Sequence, residues 1–279
     1  KRAIFTDEQE ISGTPYTEVF KTSEEQVINA ITWGGRWVTD VGKNTTLYYS
    51  FAQGPDPFEI VYGPSNWTNA EKDDVRSAIQ IYEDLVNIDF VEVEFSENIV
   101  EFQDDYSLTD TSELANLWLW KSQLNEIEDG IIGYSDVPAY SFGQPLYLEL
   151  NYETNDFVSQ DTGRGTEAYD TILHELGHML GLAHPFDGGE ADDASVVNYS
   201  LDNTFNTIMS YSGSISSEPS LNDIDALQNI YGARDLSDPS DNRYFVIENM
   251  SNSNHRVWDY LGSNTIDLSG AVLASMQNE

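Results

Sequence analysis

A chain of 279 residues is long enough to bury a substantial core, and its 12 Lys plus Arg against 49 Asp plus Glu leave a formal net charge of -37. Such a surface repels nucleic acid and anionic membranes, which excludes both as partners. No run approaches the roughly eighteen apolar residues of a membrane span, and the absence of cysteine rules out disulfides, thiolate metal sites and cysteine nucleophiles.

In chain order, the first helical signal follows Ser23, with Val27, Ile28 and Ile31 on one face. Thr45 to Phe51 is rich in β-branched and aromatic residues and reads as a strand. Gly54, Pro55, Pro57, Gly63 and Pro64 then impose a loop. Thr68 and Glu71 have the spacing of a capping box, and Val75, Ala78, Ile79, Tyr82, Leu85 and Val86 continue as the apolar stripe of a long helix. Val91, Val93 and Phe95 alternate with Glu92 and Glu94, which predicts a strand with one buried and one wet face. Ile99 to Phe102 adds another. The run Leu117, Trp118, Leu119, Trp120 is weighed as a binding surface against a packed core, and the core is the stronger expectation. Ile131 to Val137 and Leu146 to Leu150 read as two further strands, followed by a polar loop over residues 153–166.

The next helix carries the chemistry. His174 and His178 are four residues apart, which places them about 40° apart around a helix and roughly 6 Å along it, on one face. Gly181 can take a positive φ, end the helix and return His184 toward the same point. Three neutral imidazoles suit zinc and leave a coordination position open, as a catalytic site requires. Glu175, beside His174, can reach that position and act as general base. Three of the four histidines fall in this motif; the fourth, His255, has no spaced partner and reads as a surface residue.

The pattern from His174 to His184 resembles the HExxHxxGxxH signature of the metzincin metallopeptidases. The stretch Asn206 to Tyr211 resembles their Met-turn, and Pro185, directly after the third histidine, points to the serralysins, bacterial calcium-associated endopeptidases exported without disulfides. Leu221 to Gly232 is similar to the helix after that turn, so the likeness spans roughly residues 45–235.

The resemblance implies an α+β fold, a twisted, mostly parallel five-stranded sheet with long helices and a zinc cleft between an upper and a smaller lower part. Residues 1–238 would form the catalytic domain, divided near residue 184, and 239–279 a short β-rich extension. Residues 257–270 resemble the approach to a calcium-binding β-roll, but no tandem Gly-Gly-x-Gly-x-Asp repeats follow. Met209 would be a cushion under the histidines, and Tyr211 a displaceable metal ligand that stabilises the oxyanion. Residues 131–137 would be the cleft edge to which an extended substrate adds.

The expected whole is a secreted, extracellular, monomeric zinc endopeptidase acting on proteins or peptides. Calcium is a further possible ion, with Asp187 and Asp192 near the zinc loop considered as ligands. Two alternatives from other classes are a zinc-bearing module that holds peptide without cutting, and a self-processing module of a larger calcium-dependent exoprotein.

Overall fold

A strand that is apolar on both faces must be covered on both, and Leu117–Ser122 (β3) meets that demand at the centre of a five-stranded sheet. The computed structural model describes residues 23–33, 35–37, 41–56, 61–95, 115–124, 131–138, 146–159, 161–186, 201–234, 244–246 and 265–267. Within them Ser23–Ala30 forms α1, Thr45–Phe51 β1, Asn69–Leu85 α2 and Ile88–Glu92 β2. Gly133–Ser135 (β4) and Leu146–Asn151 (β5) complete the sheet in the order β2-β1-β3-β5-β4. β1, β2, β3 and β5 are mutually parallel, and β4 runs antiparallel to β5 at the edge. This is the mostly parallel five-stranded sheet expected from the sequence.

Helices Asn155–Ser159 (α3), Glu167–Met179 (α4) and Leu221–Tyr231 (α5) follow. One face of the sheet, with Leu47, Tyr49, Leu117, Leu119, Leu148 and Leu150, joins the main core with α2 and α4 through Val75, Ile79, Tyr82, Ile172 and Leu176. The other face holds Trp118, Trp120 and Tyr147 in a second cluster, where Phe95 meets both tryptophans edge-on at 5.1 and 5.5 Å. The four residues 117–120 are therefore core on alternating sides.

Thr68 and Glu71 close the capping box reciprocally. The Glu71 carboxylate also accepts from Lys121 Nζ at 2.8 and 2.9 Å, and both side chains are buried. Loss of one partner would strand a charge in the interior, so this pair fixes α2 against β3 more than it adds net stability.

Three expectations shift. The second strand begins at Ile88, and Val91 is exposed while Val93 and Phe95 pack beyond its end. The edge strand is shorter than 131–137, and a short helix, α3, occupies part of the expected loop. Ile99 to Phe102, Asp187, Asp192 and His255 lie outside the described residues. Tyr244–Val246 and Thr265–Asp267 (β6 and β7) pair in parallel as a separate two-stranded sheet. No helix among the described residues is long and apolar enough to cross a membrane.

Asp223, in the first turn of α5, is fully buried and accepts from Thr207 Oγ1 (2.6 Å), the Ile208 N–H (2.8 Å) and the Ser220 N–H (2.6 Å). Burial raises its pKa, and those same bonds oppose the rise. One carboxylate thus joins α5 to the turn before Met209. Asp223→Ala leaves three donors without their acceptor and is expected to lower stability by about 3 kcal/mol in urea unfolding. A loss below about 1 kcal/mol would refute this role.

Candidate metal centre

The site is built on α4, whose N-cap Thr166 accepts from the Tyr169 N–H. Three aromatic donors from distant elements hold the helix by its carbonyls. Tyr82 OH donates to Leu173 O at 2.6 Å, Trp37 Nε1 to Met179 O at 2.7 Å and Tyr231 OH to Leu180 O at 2.7 Å. The last two satisfy carbonyls at the helix end that have no intrahelical partner.

Gly181 turns the chain with φ 97°, as its position predicts. A second constraint is visible only in three dimensions: a Cβ there would stand 2.6 Å from Gly35 O. The N-terminal segment lies across the turn, with Trp33 N–H donating to Gly181 O and Ala183 N–H to Ile31 O, each at 2.8 Å.

His174 and His178 are buried, and each sets its Nδ1 2.9 Å from a backbone carbonyl, Ile208 O and Leu182 O respectively. A carbonyl only accepts, so Nδ1 carries the proton and Nε2 keeps its lone pair. Burial, reinforced by the neighbouring imidazoles, lowers the pKa of His174 to about 4 and lowers that of His178 as well. His184 Nε2 lies 3.1 Å from His174 Nε2 and 3.0 Å from His178 Nε2. Donors held at 2.0–2.1 Å in a tetrahedron are about 3.3 Å apart, so this donor set fits one zinc ion. Lone pairs this close repel one another unless a cation, or a shared proton, lies between them.

Tyr211 brings its hydroxyl to 2.8 Å from His184 Nε2, although 71% of its surface is exposed. Glu175 is buried, and burial followed by the charge of Glu149 raises its pKa to about 8. Its Oε2 has no hydrogen-bond partner. A buried carboxyl oxygen without a donor is costly in a finished core, and this one belongs to the residue that follows His174 on α4. The structure therefore brings together four residues singled out from the sequence, His174, His178, His184 and Tyr211, and buries the fifth, Glu175, next to His174 on α4.

Met209 is fully buried, with Sδ 2.9 Å from where a Cβ on Gly177 would sit. A glycine in mid-helix costs about 1 kcal/mol relative to alanine, and that anomaly was the available signal for this close approach. Phe186, not singled out from the sequence, stacks on the His184 ring at 5.0 Å and 6° and meets Tyr211 at 5.2 Å. On the far side, Ser216 N–H donates to Asp170, whose pKa burial lifts to about 7, and so ties the loop after Tyr211 to α4.

Residues 147–238 match the Metallo-peptidase family M12B Reprolysin-like. The chain is 27% identical over 267 residues to a serralysin of Proteus mirabilis, covering 86% of this chain and 52% of that protein. It is 28% identical over 282 residues to a serralysin of Photorhabdus laumondii subsp. laumondii, covering 91% and 55%. Among solved structures, myroilysin overlaps 72% of this chain and 97% of its own, at 17% identity and a TM-score of 0.42. The chain thus spans about half the length of the serralysins it matches. Its histidine pattern, the turn at Met209 and these relatives agree in showing a chain similar to the serralysins, with a metallopeptidase-like segment over residues 147–238.

Proposed function

We propose that this chain is the catalytic part of a secreted zinc endopeptidase that hydrolyses peptide bonds in proteins. The observation that carries the reading is the convergence of three imidazoles, His174, His178 and His184, at the helix that also bears a buried, unpartnered carboxyl oxygen of Glu175. His174, His178 and His184 would hold the ion, with Tyr211 as an additional, displaceable ligand. Zinc, when bound, supplies a Lewis acid that polarises the scissile carbonyl and acidifies water.

The chain's own residues would do the rest. An extended substrate pairs with β4, which has one strand neighbour among the described residues and lies at the end of the sheet. Glu175 accepts a proton from the attacking water and returns it to the leaving nitrogen as the C–N bond breaks. Tyr211 donates its hydroxyl hydrogen bond to the oxyanion that forms on the carbonyl oxygen. Its exposure leaves the ring room to move toward the substrate.

Residues 1–238 would be the catalytic domain, parted near residue 184, with 239–279 as an extension in which β6 and β7 pair. Secretion, the monomeric state and any calcium rest on the serralysin likeness alone.

Purified chain is expected to hydrolyse casein, to lose activity to a zinc chelator and to regain it with added zinc. Glu175→Gln should lower kcat by about a thousandfold or more while one zinc per chain is retained. Peptide that is bound but never cut by the zinc-loaded chain, or full activity in Glu175→Gln, would sink the reading. Tyr211→Phe should lower kcat about a hundredfold with little change in KM, the mark of an interaction made only in the transition state. An unchanged kcat in that variant would leave Tyr211 no part in oxyanion stabilisation.

A further inference from the structure

Gly133 opens the edge strand β4 and takes no left-handed φ, so backbone conformation does not call for glycine there. Within a strand, glycine gives up packing and order, and it persists where another group must approach the backbone closely. Here that group is the side chain of Glu175. A Cβ on Gly133 would lie 2.6 Å from Glu175 Oε1, 2.9 Å from Glu175 Cγ and 2.6 Å from Thr171 Cγ2. All three distances are below what a real methyl tolerates, and the Thr171 methyl belongs to a β-branched side chain with little freedom at χ1. β4 packs directly on α4, and Thr171 and Glu175 are one helical turn apart on the face it covers.

We infer that Gly133 is a positioning residue for Glu175: its missing side chain forms the slot in which the carboxyl stands against the substrate-binding edge. The inference rests on the proposed role of Glu175 as base. It adds a coupling, because the strand that pairs with the substrate backbone also sets where the carboxyl sits. A substrate aligned on β4 is then aligned on the base by the same three residues. A displacement of the carboxyl by about 1 Å is enough to cost two orders of magnitude in rate.

The test is Gly133→Ala in the zinc-loaded chain, alone and combined with Glu175→Gln. The expected result is a fall in kcat of about a hundredfold with KM within about twofold and zinc still at one per chain. Because Gly133 acts through Glu175, adding Gly133→Ala to Glu175→Gln should leave the residual rate unchanged within about twofold. Thr171→Ser removes the Cγ2 methyl, so Thr171→Ser with Gly133→Ala should recover part of the lost kcat.

An unaltered kcat in Gly133→Ala, or a further hundredfold loss on top of Glu175→Gln, overturns the inference. So does a loss of zinc, or failure of both Gly133→Ala and its Thr171→Ser combination to fold, since each assigns the glycine to packing alone. Failure of the parent reading looks different: Glu175→Gln is then itself fully active, or the parent chain cuts nothing.

Discussion

The constraint on which the structure turns is the orientation of two imidazole rings. An imidazole can ligate through only one nitrogen at a time, and the proton on the other decides which. Ile208 O and Leu182 O settle the matter for His174 and His178 by accepting from Nδ1. Neither carbonyl comes from the helical turn that bears its histidine. Ile208 precedes Met209 in the Met-turn, and Leu182 follows the glycine that reverses the chain. The three imidazoles therefore converge only when helix, reversal and turn are in place together. This gives the buried Asp223 its reach: by accepting from Ile208 N–H it places the peptide group next to the carbonyl that orients His174. A hydrogen bond that spans 15 residues, between Ile208 and Asp223, thus helps to set the direction of the His174 lone pair.

The scaffold has to resist the repulsion of those lone pairs, and it does so by anchoring α4 through its carbonyls. Tyr82, Trp37 and Tyr231 each spend a buried polar hydrogen on it. The same hydrogens would be costly if unpaired, so each contact satisfies two buried groups. The donors come from α2, from the segment after α1 and from α5. Shifting α4 would break bonds to three elements at once, which makes its position stiff without a single dominant interaction.

Much of this was legible in one dimension because the chemistry is encoded locally. His174, Glu175, His178, Gly181 and His184 lie within one helix and one turn, where spacing translates directly into geometry. The capping box at Thr68 and Glu71 and the stripe from Val75 to Leu85 were equally local. What escaped depends on partners far along the chain. Lys121 lies 50 residues from Glu71, and nothing in the sequence pairs the two. Gly35 closing over Gly181, Met209 against Gly177 and Phe186 stacked on His184 are contacts that no periodicity announces. Val91 misled for a related reason: alternation predicts two faces but not which is covered, and Val91, in the strand at the end of the sheet and paired with Tyr48, is exposed.

The edge strand bounds what backbone pairing could contribute to the proposed recognition. The link from β4 to β5 is too short for a helical crossover, so the last strand must run antiparallel to the others. It is pinned at both ends: Asn151 Nδ2 donates to Ile131 O at 2.7 Å, and Asp136 accepts from Tyr147 N–H at 2.9 Å. Three residues offer few main-chain pairs, each of modest net worth once water is displaced. An edge this short fixes direction and register better than it supplies affinity. On the proposed function, tight capture of peptide would therefore require side-chain contacts beyond β4, and the work of β4 would be to hold a carbonyl near His184, Tyr211 and Glu175.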